Sequence, residues 1–325
     1  VFANPKLQKL LEYQLVFLGT SPYQAPALYT LMNYIDFHQG VFYPMGGMGQ
    51  VTNALVKLAE ARGAILKTHA KVQEIMVEDG RTVGVRMQDG TIVEADIVIS
   101  NAEPATTERF LLSRAEDRDH TEAYWNTRTL APSALLLYIG VRGALPQLLH
   151  HNLLFCQDWK ENFAQIFDKP EWPSDPSIYV SMTSATDPDV APPNHENLVV
   201  LVPIAPGLEY TPKQQELYEK KILETIAKNM DIPDLAERIV TKRSFCVKEF
   251  ADRYQSTQGT ALGLAHTISQ TALFRPDNRS KKVQGLYYVG ANTNPGIGVP
   301  MCLISAELVY KRLEGIEDEK ALETL

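Results

Sequence analysis

Residues 285–307 read GLYYVGANTNPGIGVPMCLISAE, and the fold turns on this stretch. Leu286, Tyr287, Tyr288 and Val289 are the unbroken apolar run of a fully buried strand. Gly290, Gly296 and Gly298 clear the backbone of side chains at the strand's C-terminal end, and Pro300 suits the first turn of a helix. Ile304, Leu308 and Leu313 then recur along that helix. Strand, glycine loop and helix start together predict unpaired amides pointing back over the loop, a setting that favours a phosphate or an electron-rich ring edge. The same order also serves as an ordinary crossover in any α/β protein.

Outward from this stretch, 325 residues with 45 % hydrophobic content provide core enough for two domains. A net charge of -8 with a pI near 5.5 and no basic stripe interleaved with aromatics argues against a nucleic-acid partner. Cys156, Cys246 and Cys302 lie far apart and form no CxxC, so neither a disulfide framework nor a zinc site is suggested, and a reducing cytoplasm fits. His150-His151 comes with no HxH or HExxH, so no metal site is expected. The start, Val1-Phe2-Ala3-Asn4-Pro5, has neither initiator Met nor the basic and apolar regions of a signal peptide, and it reads as the middle of a longer protein. Residues 13–35 and 254–274 hold no Asp, Glu, Lys or Arg, but Gly19, Pro22, Pro26, Gly259 and Gly263 break any spanning helix. They read as buried core or as the lining of a mouth for a long apolar ligand.

Residues 1–40 predict a helical layer, with Leu7, Leu10, Leu11 and Leu15 and then Ala27, Leu28, Leu31 and Met32 at helical spacing. A tight loop at 43–49 leads into a helix that Gly63 closes. Short strands follow at 65–67, 72–77, 83–87, 91–93 and 97–100, with Asp79-Gly80 and Asp89-Gly90 marking hairpins. Residues 104–276 predict an α+β region, with strands at 134–141, 178–183, 198–204 and 239–245 and a helix over 212–230.

Several blocks resemble bacterial phytoene desaturases of the carotenoid pathway, within the flavin amine oxidase superfamily. They are GTSPYQAPA at 19–27, YPMGG at 43–47, SNAE at 100–103, TKRSF at 241–245, GTALGLAHTISQTALF at 259–274, Arg275-Pro276, and the loop Gly290 to Gly296 with Gly298, Val299 and Pro300 after it. The resemblance implies an α/β fold of the two-dinucleotide-binding flavoprotein type, an incomplete Rossmann-like FAD domain with an α+β substrate domain. Residues 41–104 and 277–325 then form the FAD-binding part, and 1–40 and 105–276 the substrate and membrane-facing part. No GxGxxG follows a strand, since Gly47-Met48-Gly49 and Gly296-Ile297-Gly298 both lack the third glycine. In the family that fingerprint lies near the N-terminus, so the chain is expected to begin after it.

The resemblance implies cofactor contacts from Val72 to the adenine and from Ser100, Asn101 and Ala102 beside the ADP ribose. Gly290, Ala291 and Asn292, the last often Gly in the family, then lie along the ribityl and pyrophosphate. Gly298 is a further cofactor contact, and Val299 and Pro300, with Met301 just inside the helix, come at the N1/O2 edge of the isoalloxazine. Substrate contacts are expected from Gly46, Gly47, Gly259, Leu262 and Leu264. Dehydrogenating an unfunctionalised polyene asks for positioning more than for ionisable side chains. No catalytic residue is assigned, although Glu103, Glu249 and His266 are conceivable proton acceptors. The implied activity is FAD-dependent desaturation of a long isoprenoid hydrocarbon such as phytoene, on a cytoplasmic protein held peripherally at the membrane surface, with quinone or oxygen as acceptor. A carotenoid isomerase or saturase, a flavin amine oxidase and a non-catalytic carotenoid-binding protein are the alternatives.

Overall fold

Residues 3–318 and 320–322 are described by a computed structural model. The chain divides into two units, one of Val1–Tyr13, Thr30–Leu66 and Ser133–Glu249, the other of Gln14–Tyr29, Lys67–Pro132 and Phe250–Leu325.

The first unit is built on a five-stranded antiparallel sheet in the order β6-β7-β8-β5-β9. Its strands are β5 (Ser133–Arg142), β6 (His151–Leu154), β7 (Ile178–Ser181), β8 (His195–Ile204) and β9 (Ile239–Phe245). The central pair β5 and β8 runs in unbroken register from Ser133 opposite Ile204 to Arg142 opposite His195. Leu135, Leu137, Ile139 and Val141 alternate onto one face, where they meet Leu198, Val200 and Val202 from β8 and Tyr218, Ile222 and Ile226 from helix α4 (Pro212–Asn229). Each fully buried aliphatic side chain of this layer contributes roughly 1.5–3 kcal/mol. Thr211 and Gln214 cap α4 reciprocally, and Pro212 takes its first position. The unit also holds α1 (Pro5–Glu12), α2 (Gly49–Ala61) and α3 (Trp159–Phe167). The chain passes into the second unit within α5 (Val247–Tyr254).

The second unit contains an antiparallel meander of β1 (Val72–Glu78), β2 (Arg81–Met87) and β3 (Ile92–Glu94). Asp79 and Gly80 both take positive φ, the backbone that a tight two-residue hairpin demands. Beside the meander lies a parallel pair, β4 (Val98–Ser100) with β10 (Leu286–Tyr288). Ile75, Leu112, Val283, Leu286 and Tyr288 form the unit's apolar core. Helix α6 (Val299–Glu314) follows β10 after the glycine loop and closes at Gly315 in the left-handed conformation.

Some expected elements differ. Residues 65–67 are not a strand: Ile65 is 84 % exposed, and no described strand pairs with this run. An apolar run without a ladder partner leaves its backbone to water. The helices expected over 1–40 stand as two continuous helical runs, 5–16 (α1 continued by a 3₁₀ turn, Tyr13–Val16) and 27–39 (Ala27–Thr30, Leu31–Tyr34 and Ile35–Gln39), separated at Gly19, Pro22 and Pro26 and ended by Gly40. Residues 41–66 belong to the first unit, where the Gly46 N–H donates to the Asp187 carboxylate at 2.5 Å, whereas 105–132 and 250–276 belong to the second. Among the described residues no helix is long and apolar enough to cross a membrane.

Candidate functional site

Two blocks distant in sequence leave the parallel strand pair side by side. Tyr288 is opposite Ser100, and the Val289 N–H donates to the Ser100 carbonyl at 3.0 Å. Ser100–Ala102 and Gly290–Asn292 therefore emerge from neighbouring strand ends, the place where open α/β sheets bind their ligands. Ser100 is fixed by its hydroxyl on Thr107 at 2.7 Å. Gly290 donates its N–H to the Ser305 hydroxyl of α6 at 3.0 Å, and the Asn278 amide reaches Tyr288 O, Thr293 Oγ1, Asn294 O and Ser305 Oγ. The loop after β10 is thus tied to the helix it feeds.

A second set of bonds holds the loop from below. Arg275, 3 % exposed, donates to the carbonyls of Thr293, Gln270, Leu264 and Ala291 at 2.5–3.1 Å. Burial lowers its guanidinium to about 10, so it is a cation at neutral pH and carbonyl dipoles answer its charge. Two residues past Pro295 the Ile297 N–H donates to His266 Nε2 at 3.1 Å. The neutral imidazole therefore carries its proton on Nδ1, which faces the Tyr29 hydroxyl at 2.5 Å and that of Thr271 at 3.3 Å. Burial, and then the Arg275 charge, push His266 down to about 3. Gly296 crosses the imidazole so closely, at φ +139°, that a Cβ would lie 2.2 Å from His266 Cε1.

The expected substrate segment lies against this loop. The Thr260 hydroxyl donates to Ala131 O at 2.7 Å and accepts from Leu262 and Gly263, which shapes 260–263 into a tight turn beside the buried Gly259. The Leu264 N–H donates to Asn292 Oδ1 at 2.7 Å. The Asn292 carbonyl oxygen, expected on the cofactor, is thus occupied in joining the 290–298 loop to the 259–264 segment. Asn292 and Leu264 line a small cavity with Glu103, Trp125, Arg128 and Leu130. Trp125, Arg128 and Leu130 also border a larger cavity of about 920 Å³ that reaches Val72 on β1. Gly46 and Gly47 lie in the first unit, in the turn before α2.

Each conceivable proton acceptor already accepts at least one hydrogen bond. Glu103 accepts from the Thr257 N–H and hydroxyl at 3.0 and 2.6 Å; burial raises its pKa and these bonds counter the rise. Glu249 accepts from the Cys246 N–H at 2.8 Å, and His266 has both ring nitrogens committed. Among the described residues no group of three or more His, Cys, Asp or Glu is placed to hold a metal ion.

The start of α6 is open. Its N-cap is Gly298, which offers no side chain, and Pro300 has no N–H, so Val299 and Met301 present amides without an acceptor in the helix. Val299 and Pro300 are exposed and Met301 is half-buried. A flavin ring edge, whose electron-rich atoms need donors and no countering acid, fits this donor set. Asn278, Arg275, Ser305 and Tyr29 were not legible as site residues; Ser305 lies in the 285–307 stretch and Arg275 beside the 259–274 block, but no pattern announced the hydroxyl's loop contacts or the guanidinium's four carbonyl partners.

Parallel strand ends, a glycine loop and an uncapped helix start are the features with which open α/β folds bind nucleotide cofactors. Residues 1–309 match the model of the flavin containing amine oxidoreductase family, and the chain belongs to that family. It is 48 % identical over 325 residues to a carotenoid 3,4-desaturase of Haloarcula japonica, covering 98 % of this chain and 63 % of that protein. It is 35 % identical over 320 residues to a zeta-carotene-forming phytoene desaturase of Myxococcus xanthus, covering 96 % and 60 %. The chain thus spans 60–63 % of the length of these curated relatives. Among solved structures, an oxidoreductase from Methanosarcina mazei aligns with a TM-score of 0.57 at 20 % identity, over 93 % of this chain and 64 % of that one. Cyclohexylamine oxidase from Brevibacterium oxydans aligns at 0.51 and 14 %, over 96 % and 66 %. These two likenesses concern the fold alone.

Proposed function

We propose that the full-length protein is an FAD-dependent dehydrogenase that introduces double bonds into a long isoprenoid hydrocarbon such as phytoene, toward more conjugated carotenes. The observation that carries this reading is the seam between Asn292 and Leu264: a glycine loop with open helix amides is fastened to an apolar segment, with Glu103 and His266 beside it already hydrogen-bonded. Such a site is dominated by backbone donors and apolar groups, so it suits chemistry done by a bound redox group on a substrate that offers nothing to titrate. The names of the two desaturase relatives support the same substrate class.

A bound flavin supplies the two-electron, hydride-accepting chemistry that turns a carbon–carbon single bond into a double one. The chain's own contribution is placement. Val299 and Met301 direct amides at the ring edge where negative charge gathers, Gly290 to Asn292 and Ser100 to Ala102 flank the cofactor's chain, and Gly259, Leu262 and Leu264 exclude water on the substrate side. Val72 is proposed for the adenine, and Gly46 and Gly47 for the substrate. The proton leaves to water. Quinone or oxygen is the proposed acceptor.

Membrane docking supports delivery of so apolar a substrate. Leu28 and Ile268 are 68 % exposed, Leu273 96 % and Phe274 65 %, and the Tyr29–Thr271 hydroxyl contact at 2.7 Å brings their two segments together. The test is the full-length protein with FAD and phytoene in liposomes. Visible polyene absorption and products lighter by pairs of hydrogens are expected; a reducible flavin that leaves the lipid colourless overturns the reading, and an unchanged product mass points to an isomerase.

A further inference from the structure

We propose that His266, backed by Arg275, is a positioning residue that fixes the Gly298–Met301 helix start and thereby sets the affinity and reduction potential of the bound flavin. The inference rests on the proposed placement of the flavin at that helix start and names the residues that hold the start in place.

Three backbone points on the seven-residue run 291–297 are fastened to the 266–275 segment: the carbonyls of Ala291 and Thr293 by Arg275, and the N–H of Ile297 by His266. The last of these lies one residue before the N-cap of α6. Ile297 is 5 % exposed, so without an acceptor at His266 Nε2 its N–H is buried and unsatisfied, and the backbone must shift to find water. The Gly296 backbone crosses the same imidazole too closely for any side chain, so ring and loop fit as one shape. The groups that face His266 are Tyr29 and Thr271 on Nδ1 and the Arg275 cation nearby. A proton added to the ring would set two donors, Nε2–H and the Ile297 N–H, against each other beside a cation. The ring therefore serves as a fixed neutral acceptor and not as a proton carrier.

The consequence for a flavin follows from the range of the helix field. Donors at a helix start act within about the first turn and favour the electron-rich form of whatever they face. A loop released at Ile297 moves both donors, Val299 and Met301, and it weakens the hold on the reduced ring more than on the oxidised one.

The experiment uses full-length protein loaded with FAD, with flavin affinity read by fluorescence quenching and midpoint potential by spectroelectrochemistry. His266→Phe, which has no acceptor, is expected to bind FAD about tenfold more weakly, with a midpoint potential lower by about 30 mV, a further tenfold loss for the two-electron-reduced form. His266→Gln, whose amide oxygen can replace Nε2, is expected to recover most of both. Wild-type affinity and potential in a folded His266→Phe protein overturn the proposal. If that variant does not fold, Tyr29→Phe decides: it removes the nearer of the two hydroxyls on Nδ1 and loosens the ring's hold while keeping the imidazole, and a potential lowered in the same direction supports the proposal while no change overturns it. A wild-type protein that takes up no flavin overturns the reading beneath the proposal, and the proposal with it.

Discussion

The core of the first unit and the loop system of the second are both buried, and they are held by opposite means. Around β5 and β8 the side chains of Leu135, Leu137, Val200, Val202, Ile222 and Ile226 are fully buried aliphatics on regular backbone, whose amides are satisfied by the ladder or the helix. In the loops on either side of β10, over 260–280 and 290–298, the buried polar groups include Arg275, His266, Asn278, Thr260 and Thr293, and they satisfy carbonyls and amides outside the strand ladder. Hydrophobic burial is non-directional and tolerates sliding. Hydrogen bonds to named backbone atoms do not. The polar region gains definition of shape rather than surplus stability, as a loop that presents two amides to a ligand requires.

The largest effect expected from breaking one side of this contrast is at Arg275. Arg275→Met leaves four carbonyls short of a donor, at about 1 kcal/mol each, for a loss near 4 kcal/mol. Hydrogen exchange over 260–298 should accelerate by about three orders of magnitude, with peptides of β5 and β8 unchanged. Retained protection at 260–298 would mean that the guanidinium is not what fastens the loop. Ile222→Ala is the mirror experiment. It opens a cavity beneath the sheet, costs about 3 kcal/mol, and should loosen β5 and β8 while leaving 260–298 as it was.

The same contrast explains what could be read from the sequence. The meander, the parallel return at 98–100, α4 and the strand, loop and helix of 286–314 are periodic patterns a few residues long, and they stand where expected. The 65–67 run failed because a strand needs a partner that its own residues do not specify. The fastening of the loop was illegible for a related reason. His266 and Ile297 are 31 residues apart, and Arg275 and Ala291 16, in segments without period, so nothing local announces the pairing. His266 read as a conceivable base because a histidine's role depends on what its two nitrogens touch, which only tertiary structure supplies.

Acid sharpens the comparison further. An unfolded histidine titrates near 6.5, whereas His266 is pushed down to about 3 by burial and then by Arg275. Between these values the unfolded chain binds a proton that the fold refuses, so the second unit loses stability as pH falls from about 6.5 toward about 3, by about 1.4 kcal/mol per pH unit, and above 6.5 this contribution is complete and constant. Glu103, raised by burial, has the opposite slope near its own titration. The measurement is therefore a difference, wild type minus His266→Gln, in exchange rates at 260–298 between pH 4 and 8. A difference that does not vary with pH would show that the imidazole is not held neutral.

The smallest effect tests the seam itself. A Cβ on Gly263 would lie 2.0 Å from Asn292 Oδ1, at φ +88°, and Asn292 in turn accepts from Leu264. Gly263→Ala suffers both the collision and the left-handed backbone; Asn292→Gly loses only the Leu264 bond, at about 1 kcal/mol. In the double variant the collision is gone because its partner is gone. The two losses should sum to about 1 kcal/mol more than the double variant shows. Strict additivity would mean that Gly263 is required only for its backbone angle, and that the 259–264 segment and the 290–298 loop are positioned independently. A coupling of the expected size, accompanied by weaker FAD binding in Gly263→Ala and its recovery in the double variant, would place the fit of these two segments on the path to cofactor binding.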